Sequence, residues 1–285
     1  VTSFVFSSRT TSRQRWCAPI VGGMLIAASA MQPAFAAASD IKALYNVTFA
    51  GFLIAKGTLG IRLKGGAYAA KVQISTSGLA RIISSEESEA SSRGSLSSSR
   101  VIPASYDLYS KGDKITEVDM KLRGSDVTKV RAYPQLSQAD DRVPVTAASK
   151  RNVVDPLSAV VMPIRSADGA FDPDACDRVL PIFDGWTRYD IKLAYKDRVA
   201  VESDGYTGDA VVCSARWIPV SGHRANKKST LFMQDNRDLE MWLIPAADAS
   251  VLVPYKISVK TMRGTLQVVA TRFEGADTTT TQAAK

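Results

Sequence analysis

The chain has 285 residues, 36 Lys and Arg against 28 Asp and Glu, a formal net charge of +8, one histidine and three cysteines. That length is ample for one large domain with a substantial core. The single histidine and few cysteines exclude the usual nitrogen and sulfur ligand set of zinc. They also leave only His223 on which a histidine-based triad could centre, and no G-x-S-x-G elbow supplies a serine nucleophile.

Residues 1–36 read as a secretory signal. Arg9, Arg13 and Arg15 form a basic start, Ala18 to Met31 is apolar and small, and Pro33-Ala34-Phe35-Ala36 offers an A-x-A cleavage site near Ala36. The apolar run, about 14 residues, falls short of the roughly 20 that a spanning helix needs. The expectation is a protein delivered by the secretion machinery to the periplasm. Cys17 leaves with the signal. In an exported protein the remaining pair, Cys176 and Cys213, is expected as a disulfide, stabilising by ~4 kcal/mol through loop closure. Nucleic acid is not an expected partner there. The positive charge suits lipid headgroups or lipopolysaccharide, although surplus surface lysine explains it equally.

Residues 37–274 read as a single all-β domain. Tyr45, Val47 and Phe49, then Leu59, Ile61 and Leu63, then Tyr68, Ala70, Val72 and Ile74 alternate with polar positions, with a glycine turn at Lys64-Gly65-Gly66. Gly78 to Ile83 reads as a turn of helix. Serine-rich Glu86 to Ser99 reads as polar edge strands, with a hairpin at Ser91 to Ser95. Thr116, Val118, Met120 and Leu122 oppose Glu117, Asp119, Lys121 and Arg123 in the clearest alternation of the chain, and Pro134 to Asn152 has no periodicity.

Asp155-Pro156 reads as an N-cap followed by a first-turn proline. Leu157, Val160, Val161 and Ile164 then have the spacing of a buried helical face, which predicts one short capping helix. Strands resume after Cys176: Tyr189 to Tyr195, Val211 to Trp217, Leu231 to Met233, Leu239 to Ile244, Val251 to Val259 and Leu266 to Phe273. Val251, Val253, Tyr255, Ile257 and Val259 read as one face. Residues 275–285 read as a disordered polar tail.

A dozen or more antiparallel strands curl or close. The charged faces would be costly against lipid, which disfavours a transmembrane barrel. The fold expected is therefore mainly β, a strongly curled antiparallel sheet or partly closed barrel with one short capping helix.

Several blocks in order carry a resemblance. They are Tyr45 to Gly51, Pro103-Ala104-Ser105-Tyr106, Asp155-Pro156-Leu157-Ser158, Phe183-Asp184-Gly185 with Arg188-Tyr189, Cys213 to Gly222, and Met241-Trp242-Leu243 with Val253-Pro254. Together they resemble the bacterial domain-of-unknown-function 3108 family in its alphaproteobacterial form. The resemblance implies an exported envelope protein whose fold is similar to the curled sheets of periplasmic lipoprotein carriers, the LolA-like group. It implies no catalytic residues.

Chemistry-bearing residues each have a plain explanation. His223 lies in a polar turn. Asp168, Asp172, Asp174 and Asp177 match no calcium loop, so no metal and no cofactor is expected. Arg216, Arg224, Lys227 and Lys228 are the densest basic group and the candidate rim for an anionic ligand. Trp186, Trp217 and Trp242 are candidates to line a pocket. The leading expectation is a non-enzymatic periplasmic protein that binds an apolar or amphiphilic envelope component, or acts as an envelope-maintenance scaffold. The alternative is a hydrolase of cell-wall or lipid material, working through carboxylates among Glu86, Glu89, Asp184 and Asp190.

Overall fold

Apolar Val118, Met120 and Leu122 are buried and the charged residues between them face away, and this two-sided strand is the unit from which the first half is built. The structure is a computed structural model that describes residues 39–78, 85–97, 99–165, 169–247 and 250–275. Residues 1–36, read above as a secretory signal, most of the turn at Gly78 to Ile83, Asp168 and the tail from 276 onward lie outside these residues.

The first meander comprises β1 (Ser39–Phe49), β2 (Phe52–Lys64), β3 (Ala67–Thr76), β4 (Glu87–Leu96), β5 (Val101–Lys111), β6 (Ile115–Arg123) and β7 (Asp126–Tyr133). After a long crossover carrying the short β8 (Met162–Pro163) comes the second meander. It contains β9 (Arg178–Phe183), β10 (Arg188–Ser203), β11 (Tyr206–Ser221), β12 (Leu239–Ala246), β13 (Val251–Thr261) and β14 (Gly264–Glu274), with one α-helix, α1 (Lys228–Asp235), between β11 and β12.

All fourteen strands share one antiparallel sheet, in the order β7-β6-β5-β4-β3-β2-β1-β14-β13-β12-β11-β10-β9, with β8 attached to β13. The first and last strands pair at its centre, from Lys42 opposite Glu274 to Phe49 opposite Leu266. Phe273 lies at this junction, its ring 6.2–6.3 Å from those of Tyr45, Tyr206 and Tyr255.

The curled sheet is not closed by a strand ladder between its edges, β7 and β9. Residues 152–154 stitch the seam instead. On one side the Val153 amide donates to Ser125 O and that of Asn152 to Asp126 Oδ1. On the other, the Val154 amide donates to Pro181 O and that of Phe183 to Val154 O.

Several sequence expectations are corrected here. Glu87–Leu96 is one continuous inner strand, neither edge nor hairpin. Its inward side chains are small: Ala90 and Ser92 are buried, and a Cβ on Gly94 would come within 2.2 Å of Ile102 O and 2.8 Å of Tyr68 Cε1. The capping helix at Asp155 is a single 3-10 turn, Ser158–Val160. Pro156 and Pro163 leave room for little more, and β13 recruits Met162–Pro163 as a strand. Leu231 to Met233 belongs to α1, closed by the Leu231 amide on Lys227 O at 3.1 Å. Val251, Val253 and Tyr255 face the barrel interior, but Val259 packs on the opposite side.

The core has two parts. The larger lies inside the curled sheet and includes Ile61, Tyr68, Met120, Phe183, Ile244 and Phe273. The smaller lies on the outer face of β10–β13 and includes Leu193, Val211, Leu243 and Leu252. It is covered by the segment through Ala170 and Ala175, which the Cys176–Cys213 disulfide ties to β11 with the Cα atoms 5.4 Å apart.

Candidate functional site: an apolar cup inside the curled sheet

The inward residues of β1–β5 do not fill the interior completely. Tyr45, Val47, Leu59, Val72, Ala90 and Tyr106 line a cavity of about 240 Å³, completed by Leu157 and Val160 from the crossover and by Pro254, Ile257 and Val268. No charged residue lines it. The Tyr45 hydroxyl donates to Pro254 O at 2.6 Å, so that hydroxyl is already satisfied, and burial pushes its pKa up.

Tyr45, Gly57 and Ile74 also border a larger groove of about 910 Å³, most of whose lining points to the outer face of the same strands. The groove is polar: Asn46, Gln73, Ser91 and Asp107 line it together with Lys56, Lys111, Glu87 and Glu89. The apolar cup and this polar groove therefore lie on opposite faces of β1–β5.

The floor of the cup is the 3-10 turn, held by a buried polar cluster. Asp155 Oδ1 accepts the amides of Leu157 at 3.0 Å and Ser158 at 2.8 Å. Its Oδ2 is bonded to Ser92 Oγ at 2.9 Å and, more closely, to Ser158 Oγ. The Tyr68 hydroxyl lies 2.5 Å from Ser158 Oγ and 3.2 Å from Ser92 Oγ, which are themselves 2.7 Å apart. These five oxygen–oxygen contacts draw on three hydroxyl protons, and a protonated Asp155 supplies a fourth.

Burial pushes the Asp155 carboxyl above its ordinary range, with the bonds from Ser158 and Ser92 pulling the other way. Burial, then the nearby Asp155, moves Tyr68 up to about 12. With every polar group partnered, the cluster anchors the turn rather than presenting a nucleophile. Asp155 and Ser158 stand in the sequence as a capping motif. Their partners Tyr68 and Ser92 were missed, although small Ala90, Ser92 and Gly94 among longer polar neighbours mark a strand that something packs against closely.

The residues singled out from the sequence are placed elsewhere. Arg216 donates to Gln234 O at the end of α1, and Arg224 pairs with Asp141 at 2.6 Å. Lys227 and Lys228 are exposed at the start of α1. None of the four lines the cup or the groove.

The tryptophans are spread over three regions, and none lines the cup. Trp186 donates from Nε1 to Pro134 O. Trp217 sits by Tyr189 and His223 on the outer side of β11. Trp242 lies under Lys256 Nζ, 4.4 Å from its ring centre. Trp217 and Trp242 are positioned by strand register and Trp186 by the turn between β9 and β10, whereas the cup belongs mainly to strands that carry no tryptophan.

The four carboxylates considered for hydrolysis are individually engaged. Glu86 accepts from Ser110, Glu89 from Gln73 and Lys71, and Asp184 from the amides of Trp186 and Thr187, while Asp190 pairs with Arg188. Asp172 caps the 3-10 turn at Pro173–Ala175. Among the described residues no group of His, Cys, Asp or Glu is arranged to hold a metal ion.

A fourteen-stranded antiparallel sheet curled around a plugged, partly hollow interior, with an open seam, defines a β-barrel-like protein. Within that class the chain belongs to the DUF3108 family of proteins of unknown function, whose profile matches residues 44–271. Among solved structures the chain is similar to a β-barrel-like protein of domain of unknown function DUF1849 from Brucella abortus. That match has 8 % identity and a TM-score of 0.45, covering 84 % of this chain and 98 % of that one. No curated protein matches.

Proposed function

We propose that the protein is a periplasmic binder of an amphiphilic cell-envelope component, which lays an apolar chain in the cup inside the curled sheet. The observation that carries this reading is the interior cavity of about 240 Å³, which no charged residue lines among the described residues. Ligand sites of this kind are largely apolar with a few convergent polar groups. The export signal read at residues 1–36 supports an envelope ligand. The cup, at about 240 Å³, has room for roughly eight methylenes if each takes about the ~30 Å³ that a water occupies in the liquid.

The test is to express the full chain in a bacterial host, purify it without detergent and identify extracted lipid by mass spectrometry. Wild type is expected to carry an acyl-chain lipid, and Val160→Trp, which fills the cup from its floor, to lose it while keeping the same circular dichroism spectrum. A wild-type protein that carries no lipid and takes up none from vesicles would overturn the reading and leave only a scaffolding role.

A further inference from the structure

On the other side of the 3-10 turn lies a second cavity, about 270 Å³, lined by Arg100, Arg165 and Arg178 and, among the described residues, by no carboxylate. Leu157 and Val160 face the cup, whereas Ser158, Ala159 and Val161 line this second space, so the turn is a partition between the two.

Arg178, the first residue of β9, is only 5 % exposed. Its Nη1 and Nη2 both donate to a single acceptor, Pro163 O, at 3.3 Å, and its Nε has no partner. A guanidinium has five N–H donors and a fixed positive charge. Among the described residues no Asp or Glu forms an ion pair with Arg178, Arg165 or Arg100. The contrast is Arg188, largely buried on β10, which has Asp190 beside it.

Burial, and then the neighbouring charge of Arg165, lowers the pKa of Arg178 to about 10, which leaves it cationic at neutral pH. A buried charge without a counter-charge is costly, and here two further cations share its cavity. Arg165 adds to the concentration of charge, since its Nε donates to Ser99 O at 2.7 Å and so keeps the side chain at the mouth.

We propose that this cavity is an oxyanion site that binds a phosphate group, gripped by Arg178 from within and by Arg165 and Arg100 at the rim. Phosphate suits the site better than a carboxylate because its oxygens point in several directions and accept paired N–H bonds from more than one guanidinium. The volume exceeds that of the ion alone and admits the first part of an ester substituent. Both free phosphate and the headgroup of a phospholipid present this chemistry. The site is separated from the cup by the partition and does not depend on it.

The experiment is thermal unfolding of the purified protein against rising inorganic phosphate, and separately against short-chain dihexanoyl phosphatidate, each compared with chloride at equal ionic strength. Wild type is expected to show a saturable rise in Tm. Arg178→Met is expected to weaken binding on the order of 30-fold or more. Without phosphate its Tm should equal or exceed that of wild type, because an uncompensated buried charge has been removed. Arg178→Lys, which keeps the charge but loses the fork, should bind with intermediate strength and serves if the methionine variant does not fold.

A larger Arg178-dependent shift with phosphatidate than with phosphate identifies a lipid headgroup as the source, and the reverse order identifies the free ion. No shift beyond chloride, or equal shifts in wild type and both variants, overturns the proposal. Neither result bears on the cup, whose Val160→Trp test is read independently.

Discussion

In β1–β6 one face of the sheet is buried and the other meets solvent, whereas β11–β13 are buried on both faces over much of their length. The outer face of the first half carries exposed ion pairs such as Lys71–Glu89 at 2.8 Å and Arg62–Asp40 at 2.8 Å, which contribute little individually. In the second half, neighbouring residues belong to different cores: Ala210, Ile244 and Val251 to the interior, and Val211, Leu243 and Leu252 to the outer cluster. The difference shows what a second buried face requires. The segment through Ala170 and Ala175 has to be held over it, and the Cys176–Cys213 bridge does so. The first half needs no cover, so its inner face is free to leave a cup and its outer face to carry the polar groove.

The largest effect expected from breaking this contrast is loss of the bridge. Replacing both Cys176 and Cys213 by Ser should destabilise the protein by ~4 kcal/mol in urea unfolding. Hydrogen exchange should quicken in β11 and leave β3–β5 as they were; equal loss in both halves would break the distinction between them. Next comes Leu252→Ala in the outer cluster, expected to cost roughly 2–5 kcal/mol because the space it vacates is enclosed on both sides.

Asp155→Asn should cost about 1–3 kcal/mol, through the polar cluster that pins the partition. Here pH discriminates. The folded Asp155 pKa lies above the unfolded value of 3.8. Its contribution is therefore fully present below pH 3.8 and is lost as pH rises through the higher folded pKa. The difference in Tm between wild type and Asp155→Asn should shrink over that rise; a constant or growing difference would contradict the assignment. The smallest effect belongs to Gln73→Ala on the outer face of the first half, within about 0.5 kcal/mol. A cost matching that of Leu252→Ala would mean that this face is covered too.

The same contrast governs how far the sequence could be read. Val118, Met120 and Leu122 alternate with charge because only one side is buried, and β6 stands out clearly. Ala210 to Cys213 and Val251 to Tyr255 are apolar without a break, as strands covered on both faces are. Their facing was therefore hidden, and Val259 was assigned to the wrong side. The strand through Ser91 and Ser92 looked like solvated edge because serine is common on surfaces; its small inward residues make room for the partition and Tyr68. Asp155-Pro156 was legible as a cap, but the helix expected after it is limited to one turn by Pro163 and the pull of β13.

The sequence pointed to a pocket but not to its place: of the tryptophans put forward to line it, Trp217 and Trp242 stand on β11 and β12 and Trp186 in the turn before β10. Arg178 gave no signal at all. An arginine in a strand is ordinary, and only the folded arrangement shows that it has no counter-charge among the described residues.

The central claim, that the interior holds an apolar chain, is tested most directly by calorimetric titration with a series of primary alcohols of increasing length. Each added methylene should tighten binding about fourfold, the equivalent of ~0.8 kcal/mol per buried CH₂. The gain should stop near eight carbons, where the cup is full, and should be absent in Val160→Trp. Affinity that does not depend on chain length, or that rises equally in the variant, would contradict a cup that accommodates an acyl chain.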